Sequence, residues 1–338
     1  MTNAGTGNIL VVRVGRAGDL VMITPALRML LDAFPGSEFH VLTAADGRRA
    51  LEGFDPRITE FHVYDRKFPA SITGPARLVR ELGARGYARA YVFETHSRYR
   101  ALAGRLAPRV YALDEQSAGE HYSARCLALV AGSLEPPPAP AAAYGAVSLP
   151  VTDAGRSAAA EYLARHGIAP DERLVGIHMT FSESARGLLA GRRGRKHRMW
   201  PQAEAARLAH LLAGAGRKLR PVVDVLPEER GMLHEFLAGA GDAVTVLCGP
   251  SDFERYKAVL ARLDVLVTPN TGPMHIAAAV GTPVVALFSG WSPADCGPFV
   301  PSAGVRVLRA EDTKEPGRGL AAIPAEAAFH ACLELLKP

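Results

Sequence analysis

The sequence predicts an α/β protein built from two Rossmann-like domains. Short, β-branched apolar runs alternate with stretches of helical periodicity, as expected for parallel strands that are connected by helices. A chain of 338 residues exceeds what a single hydrophobic core usually supports. A proline-rich segment after Gly132, SLEPPPAPAAAYGAV, separates two such alternating series. Because consecutive prolines cannot continue a helix, this segment predicts an extended linker or arm.

The first domain is predicted to span residues 1–150. Residues 8–14 form a continuous apolar run that indicates a buried parallel strand, and the loop Gly15-Arg16-Ala17-Gly18-Asp19 follows it directly. Apolar residues at helical spacing predict a helix over 25–34. Strand character then returns at 39–43, 61–64, 90–94 and 109–112.

The second domain is predicted to span residues 151–338, with strands at 174–178, 221–226, 243–247, 265–268 and 283–288. No repeat of 20–50 residues is present. In parallel sheets of this kind, ligands bind outside the carboxyl ends of the strands. We therefore expect the functional residues in the loops at these ends, facing a cleft between the two domains.

Composition and charge restrict the function classes. The chain has 39 basic and 34 acidic residues, and this near balance argues against a nucleic-acid-binding protein. The small positive excess is compatible with an anionic substrate or with peripheral association with an anionic membrane surface. The N-terminus lacks a signal-peptide pattern, and no apolar run approaches the roughly 20 residues that span a bilayer. We expect a soluble, cytoplasmic protein.

The cysteines are scattered through the chain. Cys126, Cys248, Cys296 and Cys332 form no C-x-x-C pair, and the histidines are not clustered in sequence. This pattern predicts neither a disulfide framework nor a zinc site, and it fits a reducing compartment.

The loop at 15–19 is the first candidate site. Its glycines permit a tight turn close to a ligand, and the N–H groups of the following helix can hold an anion. The loop is neither G-x-G-x-x-G with a distant acid nor a Walker loop, so it gives no support to NAD or ATP binding. Two interpretations of Asp19 remain open at this point: an N-cap of the helix, or a general base.

The second candidate site is the segment TPNTGPMHIAAAVGTPVVALF, residues 268–288. A buried strand ends in the polar turn Asn270-Thr271-Gly272, and Pro273 suits the first position of the helix that follows. The helix start offers N–H groups and a positive dipole end to a diphosphate, and Thr271 adds a hydroxyl. His275 lies in the first turn. The alternative is an ordinary packed helix in which His275 is a core residue.

A third segment, residues 186–201, is glycine-rich and basic and ends in Trp-Pro. One interpretation is a solvated loop. The other is a cation source that neutralises phosphate oxygens near the strand that ends around Thr180.

Taken together, these segments resemble glycosyltransferase family 9, the heptosyltransferases. ILVVRVGRAGDLVMITPALRMLLDAFPGSEFHVLT resembles the family's N-terminal signature, and TPNTGPMHIAAAVGTPVVALFSGWSPADCGPF resembles its donor-binding signature. Residues 196–201 resemble its K-x-W-P element, and the stretch from His121 to Arg125 resembles an H-x-x-x-R element late in the first domain. The resemblance runs through most of the chain in the same order.

The resemblance implies a GT-B fold, in which two Rossmann-like domains face each other across a cleft. The N-terminal domain would bind the acceptor and the C-terminal domain an ADP-sugar, and the last helix of the chain would be able to pack back on the N-terminal domain. Family members are inverting and need no metal, and this chain has no Asp-x-Asp to hold a divalent ion. No cofactor is expected besides the ADP-sugar, which is a substrate. The Asp of the family's Gly-Asp turn is its base, and Asp19 matches it.

The resemblance also assigns the binding residues. Gly15, Arg16, Gly18 and His121 fall in the acceptor-side or loop elements. Glu228 or Glu229, in a Leu-Pro-Glu-Glu turn, matches the region that holds the nucleoside. The residues expected to bind the donor are Thr180, Lys196, Glu228, Glu229, Asn270, Thr271, Gly272 and His275.

Two departures from the family pattern bear on specificity. Many relatives carry Asp where this chain has Asn270, so the sugar preference is open. The basic loop before Trp200 is longer than in relatives. The sequence therefore does not decide which basic residue of 192–198 binds phosphate, and Lys196, Arg195 and Arg198 are all candidates.

Several other functions remain possible on sequence grounds. The same fold could transfer a sugar from another nucleotide sugar, or to a natural-product or protein acceptor. A nucleotide-sugar 2-epimerase or a non-catalytic binding protein would keep the fold with a different activity. A nicotinamide-dependent oxidoreductase is disfavoured because the G-x-G-x-x-G fingerprint is missing. Neither the acceptor nor the oligomeric state follows from the residues.

Overall fold

The computed structural model describes residues 7–64, 70–114, 119–179, 199–216 and 218–336. The chain forms two compact units, Met1–Pro150 and Val151–Pro338. Within the described ranges, every helix is too short or too polar to cross a bilayer.

The first unit contains a five-stranded parallel sheet with the strand order β3-β2-β1-β4-β5. Central strand β1 pairs with β2 and β4, so that Leu10 lies opposite His40 on one side and Ala90 on the other. Four of the five β1 residues are buried, as their continuous apolar run predicts. The strands are β1 (Asn8–Val12), β2 (Phe39–Thr43), β3 (Ile58–Val63), β4 (Tyr87–Val92) and β5 (Val110–Ala112).

Helices cover this sheet, and one face carries a core of buried side chains that includes Leu10, Val12, Val92 and Leu102. The helices are α1 (Ala17–Val21), α2 (Thr24–Ala33), α3 (Ala45–Leu51), α4 (Ala70–Gly83), α5 (Ser97–Gly104) and α6 (Tyr122–Ala131). Helix α2 packs against α6, and α1 packs against α3.

Helix α3 approaches the loop after β1 closely, and Gly47 makes this possible. A Cβ atom at position 47 would lie 2.3 Å from Thr43 Oγ1 and 2.5 Å from the carbonyl oxygen of Gly15. Both distances are far below van der Waals contact, so only glycine fits here without a backbone shift.

The proline-rich segment differs from the extended linker that the sequence predicts. Residues Ala141–Tyr144 form a 3₁₀ helix that packs on α2. Tyr144 donates a hydrogen bond to Asp32 Oδ2 at 2.7 Å, and Arg28 Nη2 donates to the carbonyl oxygen of Ala146 at 2.9 Å. These contacts attach the segment to the first unit.

The second unit contains a six-stranded sheet with the order β11-β10-β9-β6-β7-β8, and its strands pair in parallel. The sheet is covered by helices that bury a second core around Trp200, Phe236 and Leu287. The strands are β6 (Arg173–Ile177), β7 (Leu219–Val225), β8 (Thr245–Cys248), β9 (Val265–Pro269), β10 (Val284–Phe288) and β11 (Val305–Arg309).

The described helices of the second unit follow the strands in alternation. The last of them packs on the sheet and on the helix that follows Trp200, and it buries Ala328 and Cys332 in the core of its own unit. The helices are α7 (Asp153–Arg165), α8 (Gln202–Ala213), α9 (His234–Ala240), α10 (Phe253–Arg262), α11 (Gly272–Ala279), α12 (Pro293–Cys296) and α13 (Ala325–Leu335).

The two parallel sheets with connecting helices confirm the predicted α/β class. Edge strand β11, with the sequence VRVLR, was not predicted. It is only half-buried, and its two arginines interrupt the apolar run that marks a buried strand.

Candidate active site

Asp19 lies just beyond the carboxyl end of β1, in the first turn of α1. Its Oδ2 accepts a hydrogen bond from the backbone N–H of Arg16 at 2.8 Å, and its Oδ1 accepts one from Arg13 Nη2 at 2.8 Å. Arg16 occupies the N-cap position and Asp19 the third helical position. The interpretation of Asp19 as the N-cap is therefore wrong; its carboxylate instead binds the N–H of the N-cap residue Arg16. The side chain is also 34% exposed, so a ligand can reach it.

Arg13 connects Asp19 to a second carboxylate. Its Nη1 lies 3.2 Å from Glu94 Oε1, and this oxygen also accepts the backbone N–H of Val14 at 2.8 Å. The guanidinium carbon lies 4.7 Å from the centre of the Tyr122 ring, and Tyr122 donates its hydroxyl to the Phe93 carbonyl at 2.6 Å. The Arg13 side chain is thus held by two carboxylates and an aromatic face.

This environment fixes the charge state of Arg13. Burial opposes the guanidinium charge, but the contacts with Tyr122, Asp19 and Glu94 outweigh it and raise the Arg13 pKa above its ordinary value. Burial also raises the pKa of Tyr122, so the phenol stays neutral. A permanent cation therefore lies beside Asp19.

Gly15 provides the space that the Asp19 side chain occupies. A Cβ atom at position 15 would lie 2.4 Å from Asp19 Cβ and 2.7 Å from its Oδ2. Gly18 is buried next to Asp19 in α1, whereas Arg16 is exposed. The predicted loop residues therefore lie together around the carboxylate.

In the second unit, β9 ends at Pro269 and α11 begins at Gly272. Thr271 is the N-cap, with extended backbone angles, and its Oγ1 donates to the Pro269 carbonyl at 3.2 Å. Pro273 therefore takes the second helical position and not the predicted first one; an N–H is dispensable at both. The turn leaves the N-terminal N–H groups of α11 at the carboxyl end of β9, as predicted.

Asn270 contacts a cysteine side chain. Its Nδ2 donates to Cys296 Sγ at 3.3 Å, at the end of α12. Burial raises the pKa of the Cys296 thiol, which keeps it protonated. A carboxylate at this position would have no donor for the sulfur and could only accept from the thiol.

Comparison with known proteins identifies the family. Residues 148–319, just over half of the chain, match the model of glycosyltransferase family 9 (heptosyltransferase). The chain belongs to glycosyltransferase family 9. The predicted resemblance and the predicted glycosyltransferase class are thereby confirmed.

Solved structures share the fold of this family 9 protein. A glycosyl transferase of family 9 from Veillonella parvula has a TM-score of 0.77 at 23% identity, over 98% of this chain and 97% of that chain. E. coli heptosyltransferase WaaC, solved with ADP, has a TM-score of 0.69 at 19% identity, over 97% of this chain and 99% of that one. These similarities confirm the GT-B fold class.

A curated relative matches over a short stretch. The lipopolysaccharide core heptosyltransferase OpsX of Haemophilus influenzae is 31% identical over 55 residues, which cover 16% of this chain and 16% of that protein.

Two histidines were also assigned by the family 9 resemblance, one in each unit. His121 is the N-cap of α6, and its Nδ1 accepts the N–H of Ser123 at 3.0 Å. The next residue, Tyr122, contacts Arg13, so the H-x-x-x-R element lies beside the Asp19 network. His275 is 5% exposed and lies among the buried residues of α11.

The two glutamates of the Leu-Pro-Glu-Glu turn differ. Glu229 is half-buried, and its Oε2 accepts the N–H of Leu226 at 3.3 Å, which closes the turn. Glu228 is exposed at the same turn. Thr180, Lys196 and the rest of the basic loop 192–198 lie outside the described residues.

Sequence reasoning missed Asp224, the sixth residue of β7. It accepts a hydrogen bond from the Tyr162 hydroxyl at 3.3 Å, and Arg255 stacks on the Tyr162 ring at 4.2 Å. Burial raises the pKa of Asp224 to about 6. The single carboxylate within the apolar run PVVDV is the sequence signal for this residue.

Proposed function

We propose that this chain is an inverting, metal-independent glycosyltransferase. It moves a heptose or a related sugar from an ADP-sugar to an acceptor hydroxyl, with Asp19 as the general base. The observation that carries this proposal is the Asp19 carboxylate, which is part-exposed beyond the carboxyl end of β1 and is held on both oxygens, by Arg13 and by the Arg16 N–H.

The contacts of Asp19 suit a base. Two donors fix the orientation of the carboxylate, yet each oxygen keeps a second lone pair for an incoming hydroxyl. As the acceptor oxygen attacks the anomeric carbon from the face opposite the diphosphate, Asp19 takes its proton. Direct displacement from that face inverts the anomeric configuration.

Negative charge grows on the diphosphate as the glycosidic bond breaks. The N–H groups and the dipole at the start of α11 favour an anion at this position. The Thr271 hydroxyl would join them by turning from the Pro269 carbonyl toward the diphosphate. Thr180 and Lys196 add a hydroxyl and a cation by family resemblance. The dipole and these donors supply stabilisation that a divalent ion would otherwise provide.

ADP is the nucleotide that we propose. The family resemblance implies it, and the relative WaaC was solved with ADP. Exposed Glu228 is the better candidate to accept hydrogen bonds from the ribose hydroxyls, because Glu229 already binds the Leu226 N–H in the turn. Asn270, Gly272 and His275 complete the proposed donor set.

The acceptor is proposed to bind the first unit and the donor the second. Gly15, Arg16, Gly18 and His121 lie near Asp19 or its network and are the acceptor-side residues. The name of the relative OpsX points to a lipopolysaccharide core acceptor. Such an acceptor would place the protein in the cytoplasm at the inner-membrane surface, where the net charge of +5 favours peripheral association. No nucleic-acid partner is proposed.

A second candidate keeps the fold and changes the substrates: another nucleotide sugar, or a natural-product or protein acceptor. The Asn270–Cys296 contact favours it, because the sugar would meet an amide in place of the carboxylate of many relatives. A non-catalytic binding protein has less support, because it requires no fixed carboxylate at Asp19. A 2-epimerase would need no acceptor and would convert the donor alone.

A donor panel tests the proposal. The purified protein is heated with ADP-, UDP-, GDP- and dTDP-sugars in the presence of EDTA, because a ligand that binds only the folded state raises the unfolding temperature. We expect a selective increase with ADP-heptose. An increase with a different sugar nucleotide would support the second candidate, and no increase with any of them would contradict a transferase that binds its donor first.

Transfer assays separate the remaining alternatives. We expect no turnover of donor without acceptor, whereas an epimerase would convert donor alone. We also expect EDTA to leave the transfer rate unchanged. Inhibition that magnesium reverses would contradict metal independence.

A further inference from the structure

Three side chains with metal-ligating atoms meet on the sheet of the first unit, outside the Asp19 site. His40 belongs to β2, and Glu60 and His62 belong to β3. The parallel register places His40 opposite Glu60 and Leu42 opposite His62, so the three side chains project from one face of the sheet. One ligand atom from each lies within 4.8 Å of the other two.

Glu60 Oε2 is the centre of this cluster. It lies 3.2 Å from His62 Nε2 and 3.9 Å from His40 Nδ1. His62 Nε2 is buried, and among the described residues it has no hydrogen-bond partner, because its approach to Glu60 lacks hydrogen-bond alignment. A buried ring nitrogen in this state is costly unless a further group binds it.

The surrounding residues hold these ligands in place. Arg85 Nη1 lies 3.0 Å from Glu60 Oε1, which leaves Oε2 directed at the histidines. Outer contacts of this kind orient the ligands in metal sites. The Tyr87 hydroxyl hydrogen bonds to His40 Nδ1 at 2.8 Å, and a metal at this nitrogen would replace that hydrogen bond.

We propose that His40, Glu60 and His62 form a binding site for a divalent transition metal of the zinc type. Two imidazoles and one carboxylate are a set that such ions take, with water as a further ligand. Tetrahedral coordination at about 2.0–2.1 Å needs ligand atoms about 3.4 Å apart, so small side-chain rotations bring the three together.

The proposed metal site is separate from the proposed catalytic residue, Asp19. His40 is the second residue of β2, near its amino end, whereas Asp19 follows the carboxyl end of β1. The metal would join edge strand β3 to β2 and stabilise the first unit. Sequence reasoning missed it because the ligands come from two strands, and Glu60-Phe61-His62 alone has no diagnostic spacing.

Cobalt binding tests the site, because Co²⁺ in such a ligand set absorbs visible light. The full-length protein is stripped with EDTA, exchanged into chelator-free buffer and titrated with Co²⁺. We expect one Co²⁺ per chain, displacement by Zn²⁺, and an unfolding temperature that rises when the metal is bound. No stoichiometric binding, or binding without an effect on unfolding, would overturn the proposal.

Variants locate the ion. His62→Gln and Glu60→Gln change half-buried residues and should weaken Co²⁺ binding by roughly tenfold or more. His234→Gln is the control. His234 Nε2 lies 4.0 Å from Glu235 Oε1, but this pair is exposed, and among the described residues no third ligand joins it. Unchanged binding in His62→Gln, or equal loss in His234→Gln, would overturn the assignment.

X-ray absorption on the zinc-loaded wild-type protein gives a result that does not depend on variant folding. We expect nitrogen and oxygen ligands with the signature of two imidazoles. Sulfur ligation would place the metal on cysteines and contradict the proposed site.

Discussion

At the scale of residues, Arg13 joins Asp19 to a second carboxylate, that of Glu94. Asp19 follows two glycines and a strand, which is a local pattern. Arg13 and Glu94 are 81 positions apart in the chain, and they meet only because β1 and β4 are neighbours in the sheet. Contacts of this kind depend on the order of strands in the sheet, which local sequence motifs do not reveal.

Asp19→Asn should lower the transfer rate by about 10²–10⁴-fold, the usual contribution of a general base. Asn keeps the shape and an oxygen for the Arg16 N–H, so donor binding should be retained. The measurement is ADP release with and without acceptor, combined with the donor-induced change in unfolding temperature.

Asp252→Asn is the matched control for that variant. The Asp252 carboxylate also binds a helix N–H, that of Arg255 at 3.0 Å, and Asn caps helices equally well. Its transfer rate should equal that of the wild type. Undiminished transfer in Asp19→Asn would show that Asp19 only caps α1.

Asp224 predicts a pH dependence of stability. Its folded-state pKa of about 6 lies above the ordinary value of 3.8, so the folded state binds the proton more tightly. The resulting stabilisation is complete below pH 3.8 and is lost as the pH rises through 6.

Urea unfolding of the wild type and of Asp224→Asn at several pH values measures this effect. The free energy of unfolding of the wild type, relative to the variant, should fall by on the order of 2 kcal/mol between pH 4 and pH 7 and then stay constant. A difference that is independent of pH would mean that Asp224 is not perturbed by burial.

At the scale of elements, most strands and the first loop were predictable because parallel strands bury continuous apolar runs. Strand β11 was not, because half of an edge strand faces outward. The proline-rich segment was misjudged for a related reason. Its prolines exclude a long helix, but its attachment to α2 depends on Tyr144 and Arg28, whose partners lie over 100 residues away.

The β1–α1 loop gives a prediction at this scale. Gly15→Ala places a Cβ against the Asp19 side chain, so either the loop or the carboxylate must move. We expect a loss of about 1–3 kcal/mol in the free energy of unfolding, as for other overpacked sites, and a lower transfer rate.

Gly104→Ala, at the end of α5, is the control for this substitution. No atom lies within 4 Å of a Cβ at that position, and Ala is the better helix former, so stability should stay equal or rise. If Gly15→Ala behaves like Gly104→Ala, then the loop tolerates a side chain and Gly15 does not determine the position of Asp19.

At the scale of the whole molecule, the two units are compact, and each has its own core. Length and the proline-rich segment predicted two domains. The roles assigned to them came from the family resemblance, because sheets of the same type carry no sign of which ligand they bind.

The fragment 151–338 should fold alone and bind ADP, since the turn at 270–272 and the Leu-Pro-Glu-Glu turn both belong to it. At a hundredfold excess of ADP over the Kd, its unfolding temperature should rise by about 5 °C or more. The fragment 1–150 should show no such increase. If ADP raises the unfolding temperature of the full chain but not that of a folded 151–338 fragment, the nucleotide site needs the first unit.

The contact between Gly47 and the Gly15 carbonyl constrains how this protein can change over evolutionary time. A side chain at position 47 would collide with the Gly15 carbonyl, and Gly15 also provides the space for the Asp19 side chain. A replacement at 47 is therefore tolerated only if the loop after β1 changes its conformation. Position 47 should therefore stay glycine among relatives that keep this loop. Since position 47 belongs to a helix without a proposed role in the reaction, selection on the reaction extends to α3.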